Sequence, residues 1–122
     1  MSSRLNNYIR TCRKRSGLSQ YEVAFLLGAA HHAKLSRYEQ GHRIPPLRTA
    51  LALAYLFHIS PPSLFGGIQD QVEKSIEERI CLLRSELERK CGLGRGLALA
   101  TRKQRWLDEH HAHVSETRHL RQ

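Results

Sequence analysis

Between Leu18 and Gly41 the chain sets short apolar clusters between helix start and stop residues. Val23, Ala24 and Leu27 recur at the spacing of one buried helical face, Gly28 interrupts, and Leu35 and Tyr38 resume that spacing before Gly41. Ser19 precedes the first cluster as an acceptor for the free N–H groups of a first turn, and Glu22 three residues on completes a capping-box pattern. Gly28 and Gly41 follow the last apolar positions, where a residue that enters left-handed geometry cheaply ends a helix. The pattern predicts a helix up to Leu27, a turn through Ala29-Ala30-His31-His32, and a second helix from about Ala33 to Gln40. Lys34 and Arg37 fall on the solvated face of that second helix, opposite Leu35 and Tyr38.

The same reading extends in both directions. A first helix is predicted from about Asn6 to Ser16, with Leu5, Ile9 and Cys12 on its apolar side, Arg10, Lys14 and Arg15 on its polar side, and Gly17 ending it. After Pro45-Pro46 a fourth helix carries Leu47, Leu51, Ala54 and Phe57 at helical spacing. Ala50, Leu53 and Leu56 widen its stripe, which predicts a central helix contacted on more than one side. Ser60-Pro61-Pro62 stops it and opens a short fifth helix through Phe65, since proline fits a first turn. Gly66-Gly67 reads as a domain edge. Beyond it, Val72, Ile76, Ile80, Leu83 and Leu87 recur every three or four residues among charged neighbours, which predicts one long amphipathic helix over 68–90. Its stripe must be covered, either by the same chain or by a second copy in a short coiled coil. Residues 91–122 begin with the flexible Gly92-Leu93-Gly94-Arg95-Gly96 and lead to a short helix around Arg102 to His111 that docks Trp106 and Leu107, followed by a tail. The expected class is all-α: a five-helix domain over 1–67, the amphipathic helix over 68–90, and a break, short helix and tail over 91–122.

Charge sharpens this organisation. With 122 residues and 40% hydrophobic content, the chain holds one compact domain and an extension. Of its net +9, residues 1–67 carry nine Lys/Arg against Glu22 and Glu39, while residues 68–122 carry eleven against nine acids. The excess therefore sits with the two-helix motif and implies a polyanionic partner bound with steep salt dependence. A membrane is not the expected polyanion. The longest apolar stretch, Leu47 to Ile59, is about 13 residues, is interrupted by Arg48, Thr49 and His58, and falls short of a bilayer. MSSRLNNYIR carries no signal-peptide core, so the expected location is the cytoplasm, in association with the nucleoid.

In this motif and charge the chain resembles the phage repressor and Cro-like helix-turn-helix proteins, also called xenobiotic-response-element regulators. The resemblance covers roughly Asn6 to Phe65. It rests on Ile9-Arg10 and Arg13, Gly17-Leu18-Ser19-Gln20, Ala24, Leu27-Gly28, Ser36-Arg37-Tyr38-Glu39, Gly41, Pro46-Leu47 and Ser63-Leu64-Phe65. One departure is a residue more than the common pattern between Gly28 and Ser36, which lengthens the turn and leaves the start of the recognition helix open by one position. The resemblance implies a repressor-like fold and double-stranded DNA as partner. A helix fits the major groove, where each base pair presents a distinct donor and acceptor pattern. His32, Ala33, Lys34 and Arg37 are the candidates to read bases, and a merely solvated face is the plainer role for Lys34 and Arg37. Ser19, Gln20, Arg10, Lys14, Ser36, His42 and Arg43 are candidates for the phosphate backbone. The family makes such a contact at the position of Gln20, beside free N–H groups; packing within the motif is equally open for Ser36. The resemblance also implies that Arg13 pairs with Glu39, tying the first helix to the end of the recognition helix.

A homodimer on a palindromic operator is the leading expectation, through Val72, Ile76, Ile80, Leu83 and Leu87. The alternatives are a module such as an antitoxin that docks a protein partner through its C-terminal segment, and a non-specific nucleoid binder. No cofactor is expected. Cys12, Cys81 and Cys91 are odd in number and widely spaced, unlike a disulfide framework; Cys12 reads as a small core residue. The spacing of His110, His111, His113 and His119 does not put three imidazoles on one helical face, so a metal site is not expected. No P-loop, dinucleotide motif or nucleophile with an oriented base is present, and catalysis is not expected.

Overall fold

The computed structural model describes residues 5–29, 32–90 and 97–121, with the backbone alone at 97–100 and 119–121. Among them every regular element is an α-helix: α1 Ile9–Ser16, α2 Gln20–Leu26, α3 Ala33–Glu39, α4 Leu47–Phe57, α5 Pro61–Leu64, α6 Gly66–Lys90 and α7 Leu97–Arg121. The all-α class is the predicted one, with a long helix and a C-terminal helix after the five short ones. The chain divides into two compact units, the first ending at Glu73 and the second beginning at Lys74.

In the first unit, Ile9, Val23, Leu35, Tyr38, Leu53, Ala54, Leu64 and Phe65 form one core, with Cys12, Leu18, Leu27 and Leu56 partly buried against it. Local chemistry sets the helix ends. Ser19 Oγ accepts from Glu22 N (3.0 Å) and Glu22 Oε1 accepts from Ser19 N (2.9 Å), so the capping box at α2 is reciprocal. Gly17, Gly28 and Gly41 have φ of 79°, 74° and 77°, the left-handed conformation in which a Cβ is strained.

α1 begins at Ile9, three residues later than the pattern suggests, because Asn7 Oδ1 accepts from Ile9 N (3.1 Å). This holds the chain before Ile9 out of the helix. Asn7 is buried, and its amide nitrogen donates to the Tyr38 carbonyl at 2.8 Å. Two backbone bonds fasten the same segment: Tyr8 N to Leu64 O and Gly67 N to Leu5 O, both 2.8 Å. Leu5, expected on the apolar side of α1, is instead exposed, its carbonyl taken by Gly67.

Gly66 and Gly67 are buried and open α6. A Cβ on Gly67 would lie 2.6 Å from the Leu5 carbonyl oxygen and 2.8 Å from Asn6 Cα, so this glycine serves a close approach of two backbones. α4 contacts α1 and α5, and Leu53 and Ala54 face the core. Leu47, Leu51 and Tyr55 are exposed, so α4 is covered on fewer sides than its broad apolar band predicts.

In the second unit, the remainder of α6 runs beside α7. Glu77 Oε1 and His110 Nε2 are 2.7 Å apart, and Arg84 Nη1 donates to Asp108 Oδ1 at 3.4 Å. Partners that fall in number on α7 as they rise on α6 make the pair antiparallel. The Trp106 and His110 rings stack with centroids 5.3 Å apart. Leu107 is fully buried. α7 extends past Arg102 and His111 at both ends, as one helix where a short one and a tail are predicted.

Among the described residues no helix is long and apolar enough to cross a membrane. No group of three His, Cys, Asp or Glu among them is placed to hold a metal ion. Cys91 and His31 lie outside the described residues, as does the side chain of His119.

Candidate nucleic-acid interface

α3 has two unlike faces, and its sequence dictates both. Leu35 and Tyr38, three apart, are buried, which turns Ala33, Lys34 and Arg37 outward. His32, at the N-cap, is exposed as well. Ser36 is half-buried and lies 3.5 Å from the Gln40 amide nitrogen, a contact at the limit of a hydrogen bond. The outward residues are short or cationic, and no carboxylate of α3 lies on that face.

That one carboxylate, Glu39, is engaged inside the domain. Arg13 Nε donates to Glu39 Oε1 at 2.8 Å and Oε2 at 3.3 Å, and Gln20 Nε2 donates to Oε2 at 2.9 Å. The Glu39 side chain is 2% exposed and that of Arg13 13%. Arg13 also donates from Nη1 to the Leu18 carbonyl at 3.1 Å, just before the cap of α2. One arginine therefore joins α1, the entry to α2 and the end of α3.

The structure brings Gln20 into this network, where the sequence offered it as a backbone contact or as polarity at a helix start. One of its amide hydrogens is used, and the other is left for a further acceptor. Asn7 was not among the sequence candidates at all. Its bond to the Tyr38 carbonyl holds the last turn of α3 from the other side. Its only signal in the sequence is an Asn just ahead of a helix, which says nothing of a partner 31 residues away.

Of the remaining candidates, Ser19 sits at the N-cap of α2, its side-chain oxygen accepting from Glu22 N and its side chain also acting on the Glu22 carboxyl. Arg10 and Lys14 are exposed one turn apart on α1, and His42 and Arg43 are exposed in the segment after α3. The other acid of this region, Glu22, has its carboxyl held below the ordinary range by the Ser19 backbone N–H and the Ser19 side chain. Both carboxylates of residues 1–67 are thus bonded within the domain, and the cations dominate the field outside it.

Residues 4–64, half of the chain, match the helix-turn-helix domain family. The chain belongs to this family. In helix-turn-helix terms α2 and α3 are the two helices of the motif, and the domain is a DNA-binding one. No curated protein and no solved structure matches the chain. The helix-turn-helix match ends at the last residue of α5, so α6 and α7 lie outside it.

Proposed function

We propose that this helix-turn-helix protein is a sequence-specific regulator of transcription of the phage repressor and Cro-like type. It acts on the nucleoid in the cytoplasm and binds a palindromic operator as a homodimer. The observation that carries the reading is the two-faced α3: its inner face is fixed by Leu35, Tyr38 and the Arg13–Glu39 pair, and its outer face offers Ala33, Lys34 and Arg37. A rigid helix with one small and two cationic side chains outward matches a major groove. Arg37 bonds a guanine edge, Lys34 a guanine or a phosphate, and Ala33 a thymine methyl, with His32 at the near end. Ser19 and the second amide hydrogen of Gln20 bond phosphate at the start of α2, joined by Arg10, Lys14, Ser36, His42 and Arg43 along the backbone. One such unit buries too little surface for useful specificity, and two copies on half-sites one helical turn apart, roughly 34 Å, double the readout.

The test is selection of duplexes from a random pool, followed by competition against non-specific DNA at fixed salt. The expected product is an inverted repeat bound at least about a thousandfold above non-specific DNA. Arg37→Ala is expected to cost about 1–3 kcal/mol and to relax one base position in each half-site. Uniform binding without an enriched sequence refutes the regulator and leaves a non-specific nucleoid binder.

A further inference from the structure

The near balance of charge beyond residue 67 conceals a segregation. From Arg89 to Leu107 the sequence holds six Lys/Arg and no Asp/Glu, so the other residues of 68–122 carry five cations against all nine acids. The fold gathers this run at one end of the α6–α7 hairpin. Arg84 bonds Asp108 and the two helices are antiparallel, so Arg89 and Lys90 at the end of α6 share an end of the hairpin with Arg102, Lys103 and Arg105 of α7. Arg89 and Lys90 both lean on one carboxylate, Glu86, at 2.9 and 3.6 Å. Arg102, Lys103 and Arg105 are exposed and make no ion pair among the described residues. At about 100° per residue, Arg102 and Arg105 lie about 60° apart on the side of α7 away from the buried Leu107. Trp106, 52% exposed, falls between Arg102 and Lys103.

We propose that this cationic end of the hairpin is a second surface for duplex DNA, which it holds by the phosphates and without regard to sequence. The inference rests on the DNA binding of the proposed function, though not on its operator or its dimer, and adds a contact outside the helix-turn-helix domain. Three cations held by no carboxylate gain most from a polyanion, because each phosphate they neutralise releases condensed counterions. One chain carries both units, so a duplex bound by the first is presented to the second at a high effective concentration. A membrane fits this surface less well. The outward strip of α7 runs on from Arg102 and Arg105 through Glu109, His113 and Glu116, all exposed. It has no apolar face to insert, and it would set two carboxylates against anionic headgroups.

The experiment titrates a labelled duplex of random sequence with the full chain at several salt concentrations, read by fluorescence anisotropy. Iodide quenching of Trp106, the sole tryptophan, is followed beside it at constant ionic strength. Bound duplex is expected to shield Trp106 from iodide. The triple variant Arg102→Gln/Lys103→Gln/Arg105→Gln is expected to lower the slope of log affinity against log salt by about 2–3, and to weaken binding at least about tenfold at physiological salt. The loss is expected to be the same on every duplex, since phosphate contacts carry no sequence information, and helix content by circular dichroism is expected to stay unchanged. Arg102→Lys/Arg105→Lys keeps the charge and is expected to keep the slope.

An unchanged slope in the triple variant, a lysine variant that loses as much as the glutamine one, or a Trp106 equally open to iodide with and without duplex overturns the proposal. Vesicles of equal parts phosphatidylserine and phosphatidylcholine that shield Trp106 where duplex does not overturn it in favour of a membrane. A chain that selects no sequence yet shows the slope change and the shielding refutes the operator reading and leaves this contact standing. An inverted repeat selected by a chain whose slope ignores the triple variant overturns this contact alone.

Discussion

Replacing Arg13 with methionine removes three hydrogen bonds at once: two to Glu39 and one to the Leu18 carbonyl. What remains is a carboxylate on a side chain only 2% exposed, with the Gln20 amide as its one partner. Breaking a buried pair by deleting one member costs about 3–5 kcal/mol, because the survivor is an uncompensated charge. A domain of this size is stable by about 4–10 kcal/mol, so the loss is a large fraction of the total. With a urea slope of about 1 kcal/mol per molar, the midpoint falls by roughly 3–5 M. Glu39→Gln keeps the shape and removes the charge, and is expected to cost only about 1–2 kcal/mol. The double variant Arg13→Met/Glu39→Met places two apolar chains in the same space, and is expected to be more stable than Arg13→Met alone by at least about 1 kcal/mol. Urea unfolding of wild type, Arg13→Met, Glu39→Met and the double variant, read by circular dichroism at 222 nm, measures the cycle, with Glu39→Gln run beside them. A single Arg13→Met cost below about 1 kcal/mol, or strict additivity in the double variant, would refute the reasoning.

Three further predictions follow from the same geometry. Asn7→Asp keeps an acceptor for Ile9 N but loses the donor to the Tyr38 carbonyl and adds a buried charge, so it is expected to destabilise by at least about 2 kcal/mol at neutral pH in thermal melts. Gly67→Ala puts a methyl against the Leu5 carbonyl and Asn6 Cα, both backbone, and is expected to cost about 1–3 kcal/mol; a neutral melting temperature would disprove the close approach. The Glu22 carboxyl is lowered by folding, so its contribution is complete above its ordinary value and lost as pH falls through the lowered one. The gap in melting temperature between wild type and Glu22→Gln is therefore expected to be open at neutral pH and closed in strong acid, and a gap that widens in acid would contradict this sign.

Much of the first unit was legible because its punctuation is local. Ser19 with Glu22, the glycines at 17, 28 and 41, and Ser60 before two prolines each act within one turn of where they stand, so spacing alone locates the ends of α2, α3 and α5. The outward placement of Lys34 and Arg37 is equally local, since it follows from the burial of Leu35 and Tyr38. The illegible parts depend on distant partners. Asn7 is polar and buried for the sake of Tyr38; Gln20 looks like a helix start and answers Glu39. Gly67 looks like a break because nothing in its neighbourhood reveals Leu5. Leu47, Leu51 and Tyr55 carry an apolar signal with no element over them. α7 lacks a clean apolar stripe, so only Trp106 and Leu107 mark it, and its length comes from helix formers that periodicity does not weigh.

The brevity of the first three helices, eight, seven and seven residues, has a thermodynamic corollary. Isolated helices below about 12 residues are marginal in water, because nucleation outweighs the few bonds that follow. α3 thus has no standing outside the folded core, and a partly melted domain offers no partial reader. Duplex DNA then acts as a folding ligand: it recognises only the native ensemble and raises the apparent melting temperature in proportion to the logarithm of its concentration. Occupancy of a site and survival of the fold become one equilibrium, so a substitution in the core with no nearby phosphate still changes how long a site stays filled.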